Sequence, residues 1–324
     1  MDALLQTKLR LPPLQPKLVL RPRLLDQLDA ALHCRLILLC APAGFGKSTL
    51  LTTWLHGLNR PVAWLALDEA DDEPLRFWRY LIGALDGAVD GLTHELAPLL
   101  HAPESGTNNR LLTALVNRLA NLPTPLILAL DDYHLLTDST IHRGIAFLLD
   151  HLPQQLQLVI SSRSDPPLPL PRLRARNQLL ELRTADLRFL PGESARFLRE
   201  RMGLTLAETE IAQLEARTEG WVAGLQFTGL SLQKRSGGTA AQTAPAQSIA
   251  RISGRDRHVV DYLLTEVLEQ QPPAIQAFLL QTAMLDRLCV PLCDALLGDG
   301  NGQQLLDYVE RANLFLVALD EERQ

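Results

Sequence analysis

An α/β fold, with a parallel sheet flanked by helices and a helical second half, is predicted by three features of the sequence. Residues 36–51 read LILLCAPAGFGKSTLL, an apolar strand that breaks into a glycine loop and resumes as a helix. Further short apolar runs at 61–68, 126–130 and 156–160 each end in acidic or polar residues. From Pro191 onward the apolar spacing becomes helical.

Each element follows from its local pattern. Residues 7–23 carry four prolines and spaced basic residues and read as an extended lead-in. Leu24, Leu25, Leu28 and Leu32 then share one face of a short helix. Placed before the first strand, Val19 and Arg21 are candidates to fold back over a nucleotide base.

The apolar run at 36–39 is a buried strand, followed by Ala41, Pro42, Ala43, Gly44, Phe45 and Gly46. Lys47, Ser48 and Thr49 come next, ahead of helical spacing through Leu50, Leu51, Trp54 and Leu55. Strand, glycine loop, Lys-Ser and helix in that order make a phosphate-binding P-loop. Loop N–H groups and a helix N-terminus converge there, where the dipole favours negative charge. Lys47 then reaches the β- and γ-phosphates and Ser48 ligates Mg²⁺. The usual pattern opens with Gly where this chain has Ala41, which fits an ordinary backbone conformation.

Residues 61–68, PVAWLALD, form a second strand. The acidic stretch 68–73 reads as a solvated loop that caps the helix at 75–85 rather than as a metal site. A loop at 101–109 and a helix at 111–119 follow. The third strand, LILAL at 126–130, ends in Asp131 and Asp132, the Walker B pattern. Asp131 would hold Mg²⁺ and Asp132 would orient the attacking water. A lone His134 after them is more often a supporting residue than a catalyst.

The fourth strand, 156–160, leads to Ser161, Ser162 and Arg163. At a strand's C-terminal end Arg163 is a candidate sensor of the γ-phosphate, although a surface arginine has equal standing on position alone. Residues 166–171 are broken by proline, and 179–182 is a fifth strand. Helices are expected at 191–203, near 208–217 and from Gly220, with a Gly/Ser/Ala-rich linker at 234–249. Helical spacing returns through 259–268, 278–280 and 294–297, and 314–319 looks like a strand that opens an unpartnered hairpin, as in a truncated chain.

Composition bounds the function. The 324 residues suggest two or three domains, and 47% hydrophobic with 21% charged residues is globular. With 31 basic against 37 acidic residues, the net charge of −6 disfavours a strongly basic nucleic-acid-binding domain within them. No apolar run approaches a membrane span, and no signal-peptide core opens the chain. Four cysteines fit a reducing cytoplasm; Cys289 and Cys293 lack a second pair to complete a metal site and read as structural thiols.

These motifs together resemble the N-terminal region of MalT-like, ATP-dependent regulators of the LuxR family, which are STAND-class signal-transduction ATPases. The similarity is carried by LVLRPRLLDQL at 18–28, APAGFGKSTLLTTW at 41–54, VAWLALDEADDEPLRFWRYL at 62–81 and LILALDDYHLLTD at 126–138. It continues through GWVAGLQ at 220–226, DYLLTEVLEQQP at 261–272 and ERANLFLVALD at 310–320. The resemblance implies a P-loop nucleotide-binding domain at 34–189 after an arm at 1–33. A helical domain at 190–233, a linker at 234–250 and an incomplete winged-helix domain at 251–324 follow. It implies ATP/ADP and Mg²⁺ as cofactors, held by Lys47, Ser48, Thr49, Asp131 and Asp132, with Arg163 as sensor and Val19 and Arg21 near the adenine.

It also implies a cytoplasmic switch, self-associating in the ATP state and reset by slow hydrolysis. Inducer and DNA would be met only through C-terminal domains outside these residues. STAND relatives often carry a Gly-x-Pro in the helical domain; the corresponding stretch here, from Gly220 to Leu225, has no proline, which leaves base contact by that segment open. Two other readings compete. A P-loop ATPase or small-molecule kinase unconnected with transcription would use Arg172, Arg174 and Arg176 as a lid. A scaffold holding ADP permanently would not need the intact acidic pair at 131 and 132.

Overall fold

A computed structural model describes residues 4–100, 109–236, 257–285, 287–298 and 300–314. The chain forms two compact units. The first comprises Met1–Pro16, Leu20–Cys40 and Lys47–Leu187; the second comprises Lys17–Val19, Ala41–Gly46 and Arg188–Gln324.

The first unit is built on five strands: β1 (Leu36–Cys40), β2 (Val62–Ala66), β3 (Leu126–Asp131), β4 (Leu156–Ser162) and β5 (Leu179–Leu182). They hydrogen-bond in the order β2-β3-β4-β1-β5, and all four pairings are parallel. A parallel sheet needs helices on both faces, so its strands must be apolar throughout. β1, β3 and β4 are accordingly buried at every position. Alternate residues Leu36, Leu38, Leu128, Leu130, Leu158 and Ile160 pack in the main core. Ile37, Leu39, Trp64, Ile127 and Val159 alternate to the opposite face and are equally enclosed.

The helices of this unit are α1 (Pro22–Ala30), α2 (Lys47–Gly57), α3 (Pro74–Asp86), α4 (Leu92–Leu100), α5 (Asn109–Ala120), α6 (Ser139–Asp150), α7 (Leu170–Ala175) and α8 (Thr184–Leu187). α1 and α3 begin with Pro, whose fixed φ and missing N–H suit a first turn. α3 is also capped by the Glu73 carboxylate, which accepts from the N–H of Leu75 and Arg76. Its apolar face, Phe77, Trp78, Leu81, Ile82 and Leu85, enters the main core.

The acidic stretch before α3 departs from the solvated loop expected of it. Residues Glu69–Asp72 form a 3-10 turn in which Asp71 is fully buried. Asp71 pairs with Lys8 and with Arg76 Nε at 3.1 Å, and accepts from the Asp68 N–H at 3.0 Å. Asp72 accepts from the N–H groups of Thr137 and Asp138. The run is a structural hub because Lys8, remote in sequence, neutralises it. α4 also stands where no helix was expected, with Leu92, Leu96 and Leu100 buried one turn apart. The loop expected at 101–109 lies, except for its last residue, outside the described residues.

The second unit is helical: α9 (Pro191–Arg196), continued by a π-helical turn at Phe197–Arg201, then α10 (Glu208–Thr218) and α11 (Val222–Ser236). Its core joins Phe189, Phe197, Leu198, Ile211, Leu214 and Leu225, with Val19 packed against it. α11 runs three residues into the stretch read as a linker; the rest of that stretch lies outside the described residues. α12 (Arg257–Leu263) follows, continued as a π-helical turn at Leu264–Leu268. α13 (Pro273–Thr282), α14 (Val290–Leu297) and α15 (Gly302–Arg311) enclose a small core of Ile275, Phe278, Cys293 and Val309. The strand expected at 314–319 falls outside the described residues from 315 onward.

Candidate nucleotide site

The sheet register builds the site. Leu130 of β3 stands opposite Ile160 of β4, so the strands carry Asp131 and Ser161 side by side at their C-terminal ends. Cys40 of β1 is opposite Ser162, and α2 begins at Lys47. In open α/β sheets ligands bind beyond this edge of the strands. β4 lies between the two motif strands, and the Ser161 hydroxyl at its end meets Asp131 of β3.

Asp131 is 6% exposed and is the hub. It accepts from Ser48 Oγ at 3.0 Å and from the Ser161 hydroxyl. The Asp132 N–H in turn donates to Ser161 Oγ at 3.3 Å. A hydroxyl and a buried carboxylate meeting in one place form an oxygen-only donor pair. This is what Mg²⁺ selects, since it takes one or two protein oxygens and keeps water and phosphate for the rest. Among the described residues no group of three or more His, Cys, Asp and Glu could hold a metal by itself.

Lys47 is 7% exposed, and burial brings its ammonium down to about 8. Asp132 and Asp131 oppose that shift, while Arg163 adds to it. Two cations are therefore close enough to repel, beside two carboxylates, in a place where an anion would relieve both. Asp132 lies in the left-handed region at φ 60°, a strained conformation for a residue with a Cβ. Its side chain stays 42% exposed and lies 3.9 Å from His134 Nδ1. His134 is held neutral, near 3, by burial and then by Arg163 and Lys47. Tyr133 is buried and shares a 3.0 Å hydrogen bond with His142 Nδ1, which fixes the turn after β3.

The remaining residues are placed as follows. Arg21 is buried and donates to the Leu187 carbonyl at 2.9 Å and the Asp186 carbonyl at 3.4 Å. Val19 packs in the Phe189 core. Thr49 is exposed on the first turn of α2, its carbonyl accepting from Thr53 Oγ1 at 2.7 Å. Cys40 donates weakly to Asp165 Oδ1 at 3.4 Å, and burial pushes its thiol up to about 12, which keeps it protonated and unreactive.

The loop Ala41–Gly46 belongs to the second unit. Ala41 is fully buried and Phe45 is 3% exposed. Gly44 and Gly46 have φ of +81° and +76°, which only glycine adopts without strain. The Ala43 carbonyl accepts from Trp221 Nε1 at 3.0 Å, and the Gly44 carbonyl from the Ala223 N–H at 3.0 Å. These two contacts, and Ser161 as the partner of Asp131, are what the sequence reading did not assign. The GWVAG stretch and the serine pair ending β4 were the available signals.

Comparison with known proteins places the chain among sequences of known families. The AAA ATPase domain family matches residues 17–161, and the MalT winged helix domain family matches residues 264–324. The chain is 37% identical over 322 residues to the HTH-type transcriptional regulator MalT of Yersinia pestis, covering 99% of this chain and 35% of that protein. It is 36% identical over 319 residues to the MalT of Serratia proteamaculans, covering 98% of this chain and 34% of the relative. The chain thus spans about a third of the length of these relatives. Among solved structures, a Walker-type ATPase of Pyrococcus abyssi superposes with a TM-score of 0.57 at 16% identity, covering 93% of this chain and 92% of that one, a likeness of fold. No helix among the described residues is long and apolar enough to cross a membrane. The chain is therefore similar, over nearly its whole length, to about a third of the MalT regulators, and its segments match the AAA ATPase domain and MalT winged helix domain families.

Proposed function

We propose that this chain is the ATP/ADP-binding switch of a MalT-like transcriptional regulator of the LuxR family and STAND class, acting in the cytoplasm. The observation that carries the reading is the gathering of Lys47, Ser48, Asp131, Asp132 and Arg163 at one edge of the sheet. In this reading the motif from Ala43 to Thr49 holds the phosphates, with Lys47 on the β- and γ-phosphates. Ser48 and Asp131 hold Mg²⁺, which when bound neutralises phosphate charge. Asp132, exposed beside the site, orients the attacking water, and Arg163 stabilises the transferred charge. Val19 and Arg21, on the arm before the first strand, lie near the adenine. Self-association in the ATP state and slow hydrolysis as the reset complete the switch, with inducer and DNA met by further domains of the whole regulator.

Binding isotherms for ADP and ATP with Mg²⁺ test the assignment. Lys47→Ala is expected to weaken both by at least about a hundredfold, as removal of a charge-assisted phosphate contact should. Unchanged affinity would remove Lys47 from the site and the nucleotide reading with it.

A further inference from the structure

The residues that hold the P-loop from behind have no role in the reading above. A peptide unit is planar and trans, so its C=O and the following N–H point in opposite directions. Fixing a loop carbonyl outward therefore aims the next N–H inward. The Trp221 indole, which can only donate, holds the Ala43 carbonyl at 3.0 Å and so orients the Gly44 N–H. The Ala223 N–H holds the Gly44 carbonyl at 3.0 Å and so orients the Phe45 N–H. Two successive inward N–H groups are the donors of an anion nest.

The contact is close and built. A Cβ on Gly44 would lie 2.6 Å from Ala223 Cβ and 2.7 Å from Trp221 Nε1. Trp221 is itself anchored. Gly220 has φ +71°, its carbonyl accepts from the Phe189 N–H at 2.9 Å, and a Cβ there would lie 2.5 Å from the Phe189 carbonyl. On its other side the indole meets the Tyr262 ring, with centroids 6.0 Å apart, and Tyr262 also meets Phe227 at 5.2 Å. Tyr262 lies in α12, two residues before the segment that matches the winged helix family.

We propose that Trp221 is a positioning residue that sets the anion-binding face of the P-loop and couples the loop's conformation to Tyr262 ahead of the winged-helix region. This deepens the nucleotide-switch reading and rests on it. Nucleotide that draws the Gly44 and Phe45 N–H groups inward tightens the outward bonds to residues 221 and 223. Loss of nucleotide loosens them and frees the indole against Tyr262.

The test uses the whole chain labelled with 5-fluorotryptophan, with Trp221→Phe identifying the fluorine signal of residue 221 among the four tryptophans. Adding ADP is expected to shift the Trp221 signal, and Tyr262→Leu to reduce that shift. Trp221→Phe, which keeps a ring but loses the donor, is expected to weaken ADP about tenfold, as one net hydrogen bond does. Its nucleotide-free melting temperature should remain close to that of the parent. A Trp221 signal that ADP leaves unmoved overturns the proposal whether or not the Phe variant folds. So does ADP affinity unchanged in a folded Phe variant, and so does weakened binding accompanied by an equal loss of nucleotide-free stability. A parent chain that binds no ADP overturns the nucleotide reading itself, a result distinguishable from normal ADP binding that Trp221 does not influence.

Discussion

At the scale of single residues, charge placement decides more than charge count. Asp132 keeps an exposed carboxylate on a strained backbone, while Asp131 next to it is buried and accepts from two hydroxyls. The two acids therefore have separable roles. Asp132→Ala is expected to leave ATP affinity within about threefold, because no phosphate contact is lost, and to slow turnover at least tenfold. Single-turnover hydrolysis with bound nucleotide checks this, and an unchanged rate removes Asp132 from the chemistry. Glu181 gives a pH prediction. Arg174 and then Arg183 hold its carboxyl below the usual value of 4.5. A lowered carboxyl stabilises the fold above that value, and the contribution disappears as pH falls through the folded-state value. Glu181→Gln should thus cost up to about 1 kcal/mol at pH 7, discounted for solvent screening at this edge strand. The gap to the parent should narrow in urea titrations taken below pH 4.5. The acidic pair at 131 and 132 was legible as the end of an apolar strand. The burial of Asp71 was not, since its counter-charge Lys8 lies 63 residues away in sequence.

At the scale of elements, close packing sets what each helix tolerates. Gly144 on α6 faces Trp78 on α3, and a Cβ there would sit 2.3 Å from Trp78 Cζ2. The indole is itself locked edge-on against Phe77 at 5.0 Å. Gly144→Ala would gain about 1 kcal/mol of helix propensity but forces a rigid ring to move, which costs about 1–3 kcal/mol. A net loss of about 1 kcal/mol is expected in chemical denaturation. Gly57→Ala is the control: a Cβ there meets nothing within 4 Å, so a neutral or slightly stabilising effect is expected. A stabilised Gly144→Ala would show that α3 and α6 are looser than the structure has them. The strands were readable as elements because buried parallel strands are continuous apolar runs, and β5 stands at 179–182 as expected. α4 was hidden by Gly91 and Pro98, which punctuate its sequence although its leucines keep helical spacing.

At the scale of the molecule, the motif and the packing divide the chain differently. By sequence the P-loop is one continuous signature, yet its loop residues Ala41–Gly46 are grouped with residues after Arg188, and Lys47 with the sheet. No local pattern could reveal this, because the bond from the Trp221 indole to the loop spans 178 residues of sequence, and the bond from Ala223 is as remote. A chain ended after Leu187 would retain every sheet strand and the whole Walker signature. It would lose both donors to the loop carbonyls and the Phe189 core against which Val19 packs. Two net hydrogen bonds at about 1 kcal/mol each predict at least tenfold weaker ADP binding for that shortened chain. A chain ended after Ser236 keeps Trp221, Ala223 and that core, so its ADP affinity should stay within about threefold of the full chain. Titrating both with ADP separates two accounts of the P-loop. Equal, full-strength binding by the shorter chain would make the loop self-sufficient on its sheet. A difference between the two would place part of the nucleotide affinity in the helical segment, where a switch can gain or lose it.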